Sequence, residues 1–273
     1  MSGLLAVSGC ALVALAVVQG VTFCVGRVIG RYNVVDVAWG IGFVVVAWLS
    51  PVVTGHADAR AWLLAAIVTV WGVRLSWHMW VKSAGRGEDP RYIDLLERAG
   101  GGTGAVVCRI FVVQGAAQWF VSLPLQVSAA AGPSAGSGVF VAAAGAALAV
   151  AGVAFEASGD RQLRTFKADP ANRGKIMDRG LWAWTRHPNY FGDACTWWGV
   201  WVIAASAWPG VLTVLSPTLM TYFLVYATGA RLLERFMCTR AGWSEYASRT
   251  SFFVPRPPRR SVPPEPPTKE NHR

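Results

Sequence analysis

Charged side chains are missing from five stretches of this chain: Met1 to Gly26, Val37 to Ala57, Ala61 to Val73, Ile110 to Phe155 and Ala194 to Ala230. A helix crosses a bilayer core with about 20 apolar residues, so the last two stretches, of 46 and 37 residues, each have room for two crossings. Turn-forming residues divide both, GPSAGSG at 132–138 and WPG at 208–210. The pattern predicts an all-α, polytopic membrane protein with seven spans, near 4–25, 34–53, 61–81, 105–128, 139–157, 192–208 and 210–227.

Basic residues sort the loops into two kinds. Those after the first, third, fifth and seventh spans hold almost all the Lys and Arg, with seven between Arg161 and Arg186 and nine between Arg231 and Arg273, whereas the others hold only Arg60. Cytoplasmic loops collect positive charge, so the N-terminus is expected outside and the C-terminus in the cytoplasm. The net charge of +10 then reflects topology and anionic headgroups, and no nucleic-acid partner is expected. Residues 1–26 lack the basic start of a cleaved signal peptide, so the first span is expected to stay.

Composition agrees with a membrane protein: 53% of residues are hydrophobic and only 15% charged, with mean hydropathy +0.38. The five cysteines, in or beside spans without a CxxC spacing, predict neither a disulfide framework nor a zinc site. One integral membrane domain is expected over residues 1–254, followed by a Pro-rich, basic, disordered tail over 255–273.

Polar side chains gather at the ends of the spans. The fifth span continues as FEASGDRQLRTFK (155–167), where Glu156, Asp160, Arg164 and Lys167 share one stripe at spacings of 4, 4 and 3. That stripe is either a surface with (i, i+4) ion pairs or a cofactor wall; Glu156, at the edge of a long apolar run, favours the wall. In TRHPNYFGD (185–193) Pro188 suits a first helical turn, with Asn189 and Asp193 one turn apart on the next span and Tyr190 placed as an interface anchor or a ligand contact. After the seventh span, Leu232, Leu233, Phe236 and Met237 alternate with Arg231, Glu234 and Arg235, the pattern of an amphipathic helix at the inner interface.

In the first half, Asp36 and the Arg74, His78 and Lys82 stripe lie in or near spans. They form either a buried ion pair or the lining of a pocket for a substrate's polar head. Gln114 and Gln118, one turn apart, either join helices or touch a ligand.

The segments RQLRTFKADPANRGKIMDRGLWAWTRHPNYFGD (161–193), TWWG (196–199) and LLERFMCTRAGWSEYASRTSFFVP (232–255) resemble the DUF1295 family of bacterial membrane proteins. That family is similar to the steroid 5-alpha-reductase-like superfamily of sterol reductases, enoyl-CoA reductases and isoprenylcysteine carboxyl methyltransferases. The resemblance spans roughly residues 30–255. It implies a bacterial plasma-membrane reductase that binds NADPH, with Asp160, Arg164 and Lys167 at the nucleotide, Asn189 and Asp193 near the nicotinamide, and Glu234 at a cofactor contact shared with the methyltransferase branch. Arg173, Lys175 and Arg179 add cations for phosphates, and Arg186 and His187 complete the lip of the expected cleft. The steroid reductases polarise their substrate with a Gln-Glu pair and a Tyr; in those neighbourhoods this chain has Asp36, Arg74 and His78. The expected reaction is reduction of a carbon–carbon double bond in a lipid, with Asp36 and Arg74 orienting the substrate and His78 or Tyr190 giving the proton. The alternatives are an S-adenosylmethionine-dependent methyltransferase and a non-catalytic lipid-binding protein.

Overall fold

The computed structural model describes residues 2–55, 58–98, 100, 102–134 and 136–259. Among them, secondary structure is helical: α1 (Ser2–Ile29), α2 (Val34–Thr54), α3 (Ala59–Ser83), α4 (Pro90–Arg98), α5 (Thr103–Val106), α6 (Val113–Val121), α7 (Leu123–Ala130), α8 (Gly138–Ala168), α9 (Leu181–Trp184), α10 (Pro188–Ala205), α11 (Leu215–Tyr222), α12 (Ala230–Met237) and α13 (Trp243–Arg249). π-helical turns at Val107–Val112 and Phe223–Ala227 make Thr103–Val121 and Gly210–Met237 long helical segments with irregular middles.

Among the described residues six segments are long and apolar enough to cross a membrane: Ser2–Ile29, Val34–Thr54, Ala59–Ser83, Thr103–Val121, Gly138–Ala168 and Gly210–Met237. They make the chain a multi-pass membrane protein by length and composition. The segment expected to span 192–208 falls on α10, whose 18 residues include Asn189 and Asp193, and it is not among the six. The crossing expected over 105–128 is broken at Ser122, where Pro124 opens α7; a proline fits a first turn but cannot continue a helix through it.

Contacts divide the chain into two units, residues 1–153 with 194–221, and 154–193 with 222–273. The first is a bundle packed without water, so its helices approach through glycine and its polar groups bond to one another. A Cβ on Gly72 of α3 would stand 2.7 Å from the Gly40 carbonyl of α2, and one on Gly199 of α10 would stand 2.6 Å from the Gly145 carbonyl of α8. Phe43, Trp71 and Trp197 fill the space between, with ring centroids 4.5 to 5.6 Å apart. Gln118, fully buried, receives a hydrogen bond from Gln19 at 2.6 Å and donates to the Trp39 carbonyl at 2.8 Å, joining α1, α2 and α6. Of its two expected roles it fills the helix-joining one.

Charged residues tie both ends of the bundle. Arg60, 4% exposed, donates to the hydroxyl and carbonyl of Ser128 at 2.8 and 2.9 Å and to the Ser134 hydroxyl at 3.1 Å. At the other end the Glu88 carboxylate accepts the backbone N–H groups of Tyr32 and Asn33, capping the start of α2. The connection expected over 82–104 is partly helical, because α4 places Tyr92, Leu95 and Leu96 against Val35, Val106, Ile110 and Phe111.

The second unit is built from the end of α8, the start of α10 and the chain after residue 222. Gly229 breaks its last long segment, since a Cβ there would lie 2.0 Å from the Leu224 carbonyl. The expected amphipathic helix is α12, with Leu233 and Phe236 exposed. Of the tail expected to be disordered, residues 260–273 lie outside the described residues; before them, Arg256 N–H donates to the Trp184 carbonyl at 3.0 Å.

The glycine contacts predict that Gly72→Ala and Gly40→Ala each cost about 1–3 kcal/mol by overpacking. Gly20→Ala, where nothing lies within 4 Å of the added Cβ, should change stability by less than about 0.5 kcal/mol. Thermal unfolding in one detergent compares them, and equal behaviour would remove the argument for close helix contact.

Candidate functional site

The second unit is assembled around the turn that leads into α10. Gly180, at φ +58°, lets the chain reverse beside Gln162, whose side-chain oxygen accepts the Leu181 N–H at 2.9 Å. Trp182 on α9 donates its indole N–H to the Gly159 carbonyl of α8 at 3.0 Å. Its own carbonyl accepts the Tyr246 hydroxyl at 2.7 Å, and burial pushes that phenol's pKa up. Gly159 leaves room for Pro188, which an added Cβ would meet at 3.2 Å.

Three of the expected site residues meet at this point. Arg186 donates through Nε to Glu234 Oε1 at 2.7 Å and through Nη1 to the Ala247 carbonyl at 2.8 Å, while its backbone N–H donates to the Ser251 carbonyl at 2.9 Å. Its guanidinium also lies over the rings of Phe252 and Trp243, at 5.5 and 5.9 Å. His187, 2% exposed, has Nε2 at 3.0 Å from Glu234 Oε1. A ring nitrogen facing a carboxylate is a donor, so Nδ1 is left as an acceptor in the neutral ring, and that atom is buried without a hydrogen-bond partner among the described residues. Tyr190 stacks on the imidazole at 5.8 Å, while Thr185 pairs with Ser251 and donates to the Phe253 carbonyl at 2.8 Å. Arg186, His187 and Glu234 were expected to face a cofactor; the structure shows Arg186 and His187 each bonded to Glu234, which orients the imidazole.

The stripe on α8 divides by charge. Glu156 and Asp160 are buried, at 3% and 7% exposure, as is Asp193 on α10 at 5%; Asn189 is half-buried. Arg164, Lys167, Arg173, Lys175 and Arg179 are all exposed. Two open grooves flank Phe166 in this unit, with volumes of about 650 and 550 Å³. Arg179 lines both, and Lys175 lines the smaller. Arg161, Gln162 and Asn172, which sequence reasoning did not single out, line the larger. Their signal was weak, since Arg161 and Gln162 lie off the charged stripe of α8 and Asn172 lies in the turn after it. Among the described residues no three of His, Cys, Asp or Glu converge as metal ligands.

In the first unit, α2 and α3 run antiparallel with Gly40 against Gly72, so Asp36, Arg74 and His78 lie toward the same end of that pair. All three are partly exposed. Asp36 accepts the Tyr92 hydroxyl at 2.6 Å, and Gln114 donates to that hydroxyl at 3.4 Å. Tyr92 is thus a member of this polar set that sequence reasoning missed; its only signal was Leu95 and Leu96 three and four residues on. An aspartate, a phenol and an amide in one chain of hydrogen bonds can hold an oxygen-bearing head group or pass a proton to it.

The model of a protein family described as "Protein of unknown function (DUF1295)" matches residues 22–250. No curated protein and no solved structure matches the chain.

Burial holds the His187 pKa below its ordinary value, against the hydrogen bond to Glu234 that raises it. As pH falls through about 6.5 the unfolded imidazole takes a proton before the folded one. This contribution to stability is therefore intact above that pH and is lost progressively below it. Unfolding midpoints measured between pH 8 and 5 should fall on the acid side, and His187→Gln should flatten the profile; an unchanged slope would assign the effect to other groups. Glu234→Gln, which removes the charge from two bonds, should cost about 1–3 kcal/mol.

Proposed function

The chain belongs to the DUF1295 family, and from that premise we propose that it is a membrane-embedded, NADPH-dependent reductase of a carbon–carbon double bond in a lipid, as in the steroid 5-alpha-reductase-like superfamily it resembles. The observation that carries this reading is the charge division of the second unit. Exposed cations stand at Arg164, Lys167, Arg173, Lys175 and Arg179, while the carboxylates Glu156, Asp160 and Asp193 are buried beside a half-buried Asn189. Phosphate oxygens require cationic donors, and a carboxamide requires a partner that both donates and accepts, as Asn189 does. The residues present therefore fit a phosphorylated dinucleotide; S-adenosylmethionine, without phosphates, would leave the cations no cofactor role beyond the topological one they share with the other basic loops.

Bound NADPH would supply the hydride. The rest is the work of this chain's residues. Arg186 and Glu234 hold the turn before α10, and so fix where Asn189 and Asp193 stand. Asp36, Arg74, Tyr92 and Gln114 would hold the oxygen-bearing head of the substrate, and His78 or Tyr190 would give the proton that completes the reduction. The apolar faces of the six long helices give a lipid substrate its route from the bilayer, in our reading the bacterial plasma membrane.

Calorimetry on the detergent-purified chain tests the reading with NADPH, NADH and S-adenosylmethionine. NADPH should bind best, and Arg164→Ala and Asn189→Ala should each weaken it on the order of tenfold, as the loss of a hydrogen bond to a charged or buried polar group does. Binding of S-adenosylmethionine without NADPH would replace the reductase with a methyltransferase; binding of none of the three would favour a non-catalytic lipid-binding protein.

A further inference from the structure

Apart from Arg179, which the reading above counts among its cations, the larger groove of the second unit has no part in that reading. At about 100° per residue, its α8 residues Ser158, Gln162 and Thr165 face roughly opposite to Glu156, Asp160, Arg164 and Lys167, while Arg161 stands at the border of the two faces, about 60° from Arg164, and Asp169 lies just past the helix end. The far wall is made by Asn172, Met177 and Arg179, with Phe166 between the walls. The Arg179 guanidinium lies 5.5 Å from the Phe166 ring centre, and its only hydrogen bond among the described residues is a long one, 3.5 Å to Asn172.

The charges in this groove do not cancel. Arg161 is exposed and forms no ion pair or hydrogen bond among the described residues. The one carboxylate in the lining, Asp169, is occupied, accepting the Ala171 N–H at 2.9 Å and the Asn172 amide at 3.3 Å. The neighbouring groove differs, because its Arg249 is paired with Asp178 and Glu245. Two arginines with spare donors, the NH2 group of Gln162 and two hydroxyls facing a volume of about 650 Å³ match a phosphate and its substituents.

Height along α8 gives the source of that phosphate. The apolar run ends at Phe155, and with about 1.5 Å of rise per residue Ser158 lies roughly 4–5 Å and Arg161 roughly 9 Å beyond it. The headgroup layer extends roughly 5–8 Å past the hydrocarbon on each side. Helical side chains lean toward the N-terminus, so Arg161 reaches back toward that layer. We propose that this groove binds the phosphate of an anionic lipid headgroup through Arg161 and Arg179.

Native mass spectrometry of the full chain in mixed micelles tests this by titrating dioleoyl phosphatidylglycerol against dioleoyl phosphatidylcholine. Phosphatidylglycerol should bind more tightly, and Arg161→Gln and Arg179→Gln should each weaken it on the order of fivefold. Arg164→Gln and Arg173→Gln, each removing the same single charge from another position, should each change it less than twofold. Arg161 is exposed and unpaired, so its variant keeps the fold, as circular dichroism can verify. Equal losses in the two pairs, or no preference for phosphatidylglycerol, would overturn the site. Tight binding of inorganic phosphate or 2′,5′-ADP with the same arginine dependence, but none of phosphatidylglycerol, would overturn the lipid assignment in favour of a soluble phosphate. NADPH is absent from the assay, so failure of the reductase reading leaves this result intact, and the reverse holds too.

Discussion

Arg186 joins, through one guanidinium and one backbone N–H, parts of the chain that are far apart in sequence: Glu234 on α12, the end of α13 at Ala247, and the strand-like segment at Ser251. A half-buried guanidinium is stable only where its fork of donors meets acceptors in the right directions. Meeting that demand fixes the positions of the elements that supply them. His187, the next residue, takes its orientation from the same carboxylate. The start of α10, and with it Asn189 and Asp193, follows from where Arg186 is held.

The bundle of the first unit answers a different demand. With no water to satisfy a lone polar group, its few polar side chains bond inward: Gln118 to Gln19 and the Trp39 carbonyl, Arg60 to Ser128 and Ser134, Tyr92 to Asp36. Its apolar faces have no such need. Lipid is as apolar as valine, so close packing comes instead from small residues that let backbones touch, at Gly40 with Gly72 and at Gly145 with Gly199. Apolar residues such as Leu12, Val17, Val28 and Phe140 are left facing outward, where the bilayer covers them.

These demands sort the polar residues by availability. Arg186, His187 and Glu234 are committed to each other, and Arg60 and Gln118 to the bundle. The cations of the α8 end and the loop after it are exposed, and the polar set around Asp36 is only partly covered. The functional reading rests on the second group, and the first explains why those residues stand where they do.

Much of the helical architecture was legible along the chain, because crossing a bilayer depends on a local sum: about 20 apolar residues in succession make a span wherever they occur. Six of the seven predicted spans coincide with long apolar helices, and the amphipathic α12 followed from its spacing. The crowding of polar residues at 185–193 was likewise visible as a site of consequence. Which residue bonds to which was not, because partners are chosen by packing across the chain. Glu88 caps α2 from 55 residues away, Tyr92 reaches Asp36 across 56, and Glu234 reaches Arg186 across 48. The sequence by itself determined the membrane helices and the residues able to do chemistry near them. Only tertiary structure decided which of those residues are committed to holding the fold, since a hydrogen bond depends on distance and direction in space, and spacing along one helix reports neither for residues on another.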